Sequence, residues 1–211
     1  VRSRGLGDVY KRQTYTKKNQ ITNRLRTMEQ QYTTLTKDIN NVDNKDAIVY
    51  AYIKSRMNYK TSIADNVTEK EISEKLGIPL STVKRSVSRL KSNKNLIDKV
   101  ISNNVIADGS YKTYNKYYMA KCNENFFYIY NSFFNDDMNI AEASERIKIK
   151  NFLLKLKAVC KKETNKYISE NPYLDRLNKT ELSKKLGIDT KTLNNYLEMA
   201  VNAGHIKYIT N

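Results

Sequence analysis

Prolines, glycines, cysteines and histidines are scarce in this sequence. Its 211 residues include two prolines, six glycines, two cysteines, one histidine and no tryptophan. Scarce proline and glycine argue against a collagen-like or disordered chain and favour helices. There is also no apolar run of about eighteen residues and no apolar signal segment, so we expect neither a transmembrane helix nor a membrane partner. With only two cysteines, the reduced cytoplasm is the expected compartment.

The few reactive side chains form no catalytic or metal-binding pattern. His205 follows Gly204 at the expected end of a helix, where capping the last carbonyl groups is its ordinary role. Cys122 and Cys160 are far apart and have no histidine neighbours, so a zinc site is not predicted. We therefore expect no enzymatic activity, no metal and no cofactor.

Positive charge is in excess. Lysine and arginine number 38 against 22 acidic residues, a formal charge of +16. The first thirteen residues, VRSRGLGDVYKRQ, resemble translated sequencing-adaptor read-through, so we expect 1–13 to be a non-native leader and the chain to be a fragment. Without that leader, which holds four cations and one aspartate, the charge is +13. An AT-rich genome would enrich lysine and the acidic residues alike, so the surplus indicates a polyanionic partner.

One segment of the chain occurs twice. Residues 71–96 align without a gap with residues 181–206. The identical pairs are Glu71/Glu181, Ser73/Ser183, Lys75/Lys185, Leu76/Leu186, Gly77/Gly187, Ile78/Ile188 and Thr82/Thr192. Repetition of a supersecondary unit at this spacing predicts two domains of about a hundred residues each.

Each copy carries the signals of two short helices joined by a tight turn. A capping-box pattern begins the first helix, at Thr68–Glu71 and at Asn178–Glu181. A glycine ends that helix, where a left-handed C-cap is needed. Asp189 is a good N-cap for the second helix, and Pro79 stands at the matching position. Helix, glycine-containing turn and helix together predict a helix-turn-helix unit.

The flanks of the two copies predict further elements. Apolar spacing predicts a helix through Val49, Ile53 and Met57 before the first copy, and another through residues 149–160 before the second. After the first copy, residues 96–106 and 111–119 predict two strands joined by a turn at Asp108-Gly109, a hairpin wing. After the second copy a strand begins at Ile206, and we expect its wing to be cut short.

Two segments outside the repeat are also informative. Residues 21–39 have heptad-like apolar spacing, which leaves two interpretations open. One is a dimerising helix; the other, which we favour because charge pairing is weak, is a helix packed on the first domain with Tyr32–Thr36 as a strand. The aromatic run at 126–134 predicts a strand or tight segment. We expect a linker at 135–145 and a loop at 163–176.

The strings EISEKLGIPLSTVKRSVSRLKSNKNLI and TELSKKLGIDTKTLNNYLEMAVNAGHI resemble bacterial winged-helix families. The resemblance covers roughly residues 32–209. It implies a mainly α fold with small β wings (α+β) and two tandem winged-helix domains. The expected organisation is the leader at 1–13, an N-terminal helix and strand segment at 14–43, the first winged-helix domain at 44–120, a strand and linker at 121–144, and the second domain, with a truncated wing, at 145–211.

In winged-helix proteins the second helix of the unit enters the major groove of DNA and the wing contacts the flanking backbone. The resemblance and the apolar spacing together nominate an outward set of contact residues in each copy. For the first copy these are Ser81, Thr82, Lys84, Arg85, Ser88 and Arg89, with Lys112 and Lys116 on the wing. For the second they are Lys191, Thr192, Asn194 and Asn195, beside Glu198, which would repel phosphate.

Two helix-turn-helix units in one chain resemble the replication initiators of bacterial plasmids and the replisome organisers of phages. The expected function is therefore sequence-specific binding of double-stranded DNA in the replication of a mobile element. A transcriptional regulator would use the same parts, and an adaptor would bind protein with its second unit. A replication or transcription protein and a second copy of the chain remain open as partners. The sequence shows no ligand pocket and no phosphoacceptor domain, which disfavours a ligand-sensing repressor.

Overall fold

The structure is a computed structural model that describes residues 32–107, 110–122, 125–161, 167 and 178–207. The expected leader, the segment 14–31, the turn at Asp108-Gly109, nearly all of the loop at 163–176 and the last four residues lie outside the described residues. The described chain begins with strand β1 (Tyr32–Thr36), a 3-10 turn at Lys37–Asn41 and helix α1 (Asn44–Ser55).

The first repeat and its sheet follow α1. The strands β2 (Met57–Asn58) and β3 (Ile63–Val67) precede helix α2 (Glu69–Leu76) and helix α3 (Leu80–Ser92). A hairpin of β4 (Ile97–Ala107) and β5 (Ser110–Met119) comes next. The sheet order is β2-β3-β5-β4, with antiparallel pairing throughout.

The second half is helical apart from its first strand. Strand β6 (Phe126–Tyr130) continues into a 3-10 turn at Asn131–Phe134. Helix α4 (Ala143–Val159) then leads to the second repeat, whose helices are α5 (Lys179–Leu186) and α6 (Thr190–Asn202). In the described residues after α6, up to Lys207, there is no strand.

The predicted fold class was wrong. A mainly α fold with small β wings in two tandem winged-helix domains is contradicted by an α+β structure that holds two antiparallel sheets, one of four strands and one of two. Sequence patterns missed β2, which has two residues, and β3, whose Asp65 and Asn66 interrupt any apolar alternation. Strand β3 forms on the open edge of β5, where Ile63 pairs with Tyr118 and Val67 with Asn115, and β2 then pairs with β3.

The first core surrounds helix α1. Every residue of α1 from Asp46 to Lys54 is buried, so the helix shows no apolar stripe of the usual width. Leucines, isoleucines and valines from α2, α3 and β4 pack around it. Met57, which we predicted on the same helix, lies instead in β2. The hairpin β4–β5, predicted from residues 96–119, is confirmed.

The two-stranded sheet pairs β1 with β6, which confirms the predicted strand at Tyr32–Thr36 and the strand in the aromatic run. Leu35 lies opposite Phe127, and both side chains are buried in the first core. Tyr32, Tyr128 and Tyr130 are exposed on the other side, where the rings of Tyr32 and Tyr130 lie 4.5 Å apart.

Helix α4 belongs to both cores. Ile147, Leu154 and Ala158 pack in the first core, whereas Ile149, Phe152 and Leu156 pack with the helices of the second repeat. The buried Asn151 side chain on α4 accepts a hydrogen bond from the backbone N–H of Ile48 on α1, at 3.0 Å. The helix that we assigned to the second half therefore also completes the first core.

Candidate nucleic-acid interface

The two repeats fold into the same helix-turn-helix unit. Thr68 Oγ1 accepts a hydrogen bond from the Glu71 N–H at 3.0 Å, and Asn178 Oδ1 accepts one from the Glu181 N–H at 3.1 Å. The turns are also alike, because the glycines that end α2 and α5 both have a φ of +65°. Only glycine enters that left-handed conformation at little cost. The predicted repeat is confirmed at the level of its helices and turns.

The glutamate of each capping-box pattern accepts a hydrogen bond from a tyrosine of the preceding segment. Glu71 Oε1 accepts a hydrogen bond from the Tyr52 hydroxyl at 2.9 Å, and Glu181 Oε1 accepts one from the Tyr167 hydroxyl at 2.7 Å. Burial, together with the hydrogen bond to Glu71, raises the pKa of Tyr52 to about 12. The first helix of each unit is thereby tied to the segment that precedes it.

Helix α3 has one buried face and one exposed basic face. Val83, Val87 and Leu90 are buried in the first core, with Ser86 beside them. The opposite face exposes Ser81, Lys84, Arg85 and Ser88, and Thr82 is half-buried at its edge. Helix α3 contains four basic residues and no acidic one. We refer to Ser81, Lys84, Arg85 and Ser88 as the basic face.

Arg85 is the arginine of this face that keeps its guanidinium available. Its Nε donates to the carbonyl oxygen of Ser81 at 3.3 Å, which lays the side chain along the helix surface. It forms no ion pair with any residue in the described part of the chain. A guanidinium in this position has donors left for two acceptors on a ligand.

Arg89 is committed to an intramolecular ion pair. Its Nε and Nη2 donate to the two carboxylate oxygens of Asp46, at 2.7 and 2.6 Å, and Asp43 Oδ2 lies 3.6 Å from its Nε. Asp46 is 2% exposed in the first turn of α1, where the helix dipole also favours a negative charge. These hydrogen bonds raise the pKa of the Arg89 guanidinium. Arg89 therefore stabilises the contact between α1 and α3, and we leave it out of the basic face.

The hairpin carries the other predicted contacts of the first copy. Lys116 on β5 forms an ion pair with Asp65 on β3 at 3.2 Å, so a phosphate would have to compete with that carboxylate. Lys112 lies nearer the start of β5, toward the turn of the hairpin, where it pairs in register with Val105. Strand β3 pairs with β5 only from Asn115 to Tyr118. Between Asn115 and the turn, the hairpin therefore consists of β4 and β5 alone.

Helix α6 exposes a face without net charge. Lys191, Asn194, Asn195 and Glu198 are exposed, and they are the only charged or amide side chains of its outer surface before Asn202. The Thr192 hydroxyl donates to Asp189 Oδ2 at 2.6 Å, and the Thr192 N–H donates to Asp189 Oδ1 at 2.8 Å. These hydrogen bonds lower the pKa of Asp189 and confirm it as the N-cap. The Thr192 hydroxyl is thus engaged by the N-cap residue of its own helix, and the DNA contact that we predicted for Thr192 would have to compete with Asp189.

The aligned positions of α3 and α6 show how the copies differ. Lys84 and Arg85 correspond to the two asparagines of α6, and Ser88 corresponds to Glu198. Arg89 corresponds to the half-buried Met199. That last correspondence was the available sign that position 89 faces partly inward. Asp46, its partner, was missed because no local pattern marks an aspartate that precedes a buried run.

Comparison with known proteins adds no relative: no protein-family model, no curated protein and no solved structure matches the chain. No helix in the described part of the chain is both long and apolar enough to cross a membrane. The described residues also contain no group of three or more histidine, cysteine or acidic side chains arranged to hold a metal ion.

Proposed function

We propose that this protein binds double-stranded DNA sequence-specifically, with helix α3 in the major groove. The observation that carries the proposal is the basic face of α3, which is exposed while the opposite side of the same helix is buried in the core. A helix presented in this way fits the width of the major groove. The excess of positive charge in the chain supplies the attraction to phosphate.

Arg85 is the residue to which we assign base reading. A guanidinium donates two parallel hydrogen bonds to the O6 and N7 atoms of guanine, and serine hydroxyls accept or donate at either strand. Ser81 and Ser88 lie one turn before and about one turn after Arg85. Lys84, with its compact charge, suits a phosphate. Lys112 and Lys116 on the hairpin would contact the flanking backbone.

The second unit has a subsidiary role in this proposal. Asn194 and Asn195 could pair with adenine, and Lys191 with phosphate. Glu198 opposes any phosphate near it, so α6 adds less attraction than α3. The neutral face of α6 also supports the alternative of an adaptor, in which this unit binds a replication or transcription protein.

The biological role that we propose is replication initiation for a plasmid, phage or other mobile element, in the bacterial cytoplasm. Support comes from two helix-turn-helix units in one chain and from their resemblance to initiators. A transcriptional regulator is the second candidate. An initiator should bind repeats in its own origin and support replication of a plasmid that carries them, whereas a regulator should protect a promoter and change transcript levels.

The test of DNA binding is selection of duplexes from a random double-stranded library by the full chain, followed by affinity measurements across salt concentrations. We expect one enriched motif containing guanine. For that motif, Arg85→Ala should weaken binding by about 1–3 kcal/mol. Failure to enrich any motif, with an affinity that falls steeply with salt, would restrict the interaction to phosphates and remove sequence specificity from the proposal.

Two control variants separate base reading from charge. Arg85→Lys keeps the charge and loses the paired hydrogen bonds, so it should lose preference for the selected motif while the salt dependence stays unchanged. Asn195→Ala removes the aligned side chain of the second unit and should have a smaller effect than Arg85→Ala. Equal losses from Arg85→Ala and Asn195→Ala would contradict the assignment of reading to α3.

A further inference from the structure

A cleft of about 240 Å³ lies where helices α1 and α4 meet the second helix-turn-helix unit. Lys45 contributes from α1, Lys148 and Lys155 from α4, and Ile188 and Tyr196 from the second unit. The two lysines of α4 are seven residues apart, so they lie on one side of the helix about 10 Å from each other along its axis. The cleft is thus lined by three cationic side chains from two helices.

Lys155 is the unusual member of this group. It is only 7% exposed, yet its Nζ has no hydrogen bond or ion pair with any residue in the described part of the chain. The other buried lysines are each satisfied, because Lys54 donates to the carbonyl oxygen of Ala120 at 3.1 Å and Lys150 to that of Phe134 at 3.0 Å. The Nζ of Lys155 is not fully enclosed, so an acceptor bound in the cleft could reach it and would provide the partner that it lacks among the described residues.

The nearby carboxylates do not fill that position. Burial lowers the pKa of Lys155, and Asp43 and Asp46 oppose the shift only at a distance. Both oxygens of Asp46 already accept hydrogen bonds from Arg89, and Asp43 also lies beside Arg89. The carboxylates that act on Lys155 are therefore already engaged by Arg89, whereas three lysines and no acidic side chain line the cleft in the described residues.

The remaining wall of the cleft is apolar and aromatic. The rings of Phe152 and Tyr196 lie with their centroids 5.5 Å apart, and Tyr196 and Ile188 are half-buried. A naked inorganic ion would leave this wall in contact with water. The volume is below the range of about 300–1,000 Å³ that is usual for ligand pockets, so the occupant must be small.

We propose that this cleft binds a small ligand that combines an anionic group, held by Lys155 and Lys148, with an aromatic or apolar body packed against Phe152, Ile188 and Tyr196. The site goes beyond DNA binding and does not depend on it. Because its walls come from α1, from the shared helix α4 and from the second unit, a bound ligand contacts both halves of the chain at once. Such a ligand would favour this arrangement of the halves over any other.

The test uses 1-anilinonaphthalene-8-sulfonate, a small fluorescent anion with an aromatic body, titrated into the full chain. We expect saturable binding at one site per chain. Lys155→Met should weaken that binding about tenfold or more, because a hydrogen bond to a charged group is lost. The control is Lys184→Met, which removes an exposed lysine of the second unit outside the cleft and should leave the affinity unchanged.

A second variant and a competitor complete the experiment. Lys148 is exposed, so Lys148→Met should fold normally and should also weaken binding of the probe. Equal affinity of the probe for the unsubstituted chain, Lys155→Met and Lys148→Met would overturn the proposal. Stoichiometric displacement of the probe by a duplex oligonucleotide would also overturn it, since the cleft would then hold backbone phosphate rather than a small ligand.

Discussion

Substitution of Arg89 should destabilise the fold. Arg89→Ala removes both hydrogen bonds to Asp46 and leaves a carboxylate that is 2% exposed without its cation. Breaking a fully buried ion pair costs about 3–5 kcal/mol. Here the Arg89 side chain is 48% exposed and water can approach the vacated space, so we discount the loss to about 2 kcal/mol.

The loss is measurable by thermal and urea denaturation. For a chain of this size, about 2 kcal/mol corresponds to a fall in Tm of roughly 4–8 °C. A double-mutant cycle with Asp46→Ala isolates the pair, and the double variant should be less destabilised than the two single losses combined. A matched variant is Arg89→Met, which installs the residue found at the aligned position of the second repeat.

The same experiment decides whether Arg89 reads DNA. Suppose that Arg89→Ala leaves the Tm unchanged and instead lowers the affinity for the selected duplex. The ion pair between Arg89 and Asp46 would then not stabilise the fold, and our assignment of Arg89 to a structural role would be refuted. If the Tm falls and the affinity of the folded fraction is retained, base reading rests on Arg85. A test that substitutes both arginines together would confuse lost contacts with lost folding.

Two further predictions concern backbone strain and pH. Gly77→Ala and Gly187→Ala should each lower the free energy of unfolding in urea by about 1–2 kcal/mol, because both glycines have a φ of +65°. An added Cβ meets nothing closer than 3.9 Å at either position, so the two losses should be equal. Unequal losses would indicate that a steric contact contributes besides the backbone strain. Burial lowers the pKa of Lys150 to about 8, so the unfolded chain binds more protons between about pH 8 and pH 10.5 and stability should rise with pH there. Lys150→Met should flatten that rise between pH 8 and 9.5, below the range in which tyrosines ionise; an unchanged slope in urea denaturation would contradict the assignment to Lys150.

Local signals were sufficient to predict the helix-turn-helix units. A cap three residues before a glutamate, an apolar pair four residues apart and a glycine at the turn all act within one segment, and they recur in the second copy. The hairpin was predictable for the same reason, since its strands are long and adjacent. The strand Ile63–Val67 was not, because its pairing depends on β5, about fifty residues later.

The candidate site was only partly predictable for a related physical reason. Helical spacing states which side chains of α3 point away from the core, and it correctly identifies Lys84, Arg85 and Ser88 as exposed. Helical spacing does not predict which exposed side chain forms a hydrogen bond or ion pair with another element. Asp46 lies 43 residues before Arg89, and the lysines of the cleft come from helices about a hundred residues apart.

The two repeats diverge where their surroundings diverge. The first unit packs against α1 and a four-stranded sheet, and its Arg89 neutralises Asp46. Lys84 and Arg85 on the outer side of α3 form no ion pair with any other described residue. The second unit packs on α4, needs no such neutralisation at Met199, and balances Lys191 with Glu198 on its outer face. Since the helices and turns of both units are alike, this difference in charge cannot come from folding requirements common to both. It supports our proposal that the first unit supplies more of the attraction to DNA than the second unit.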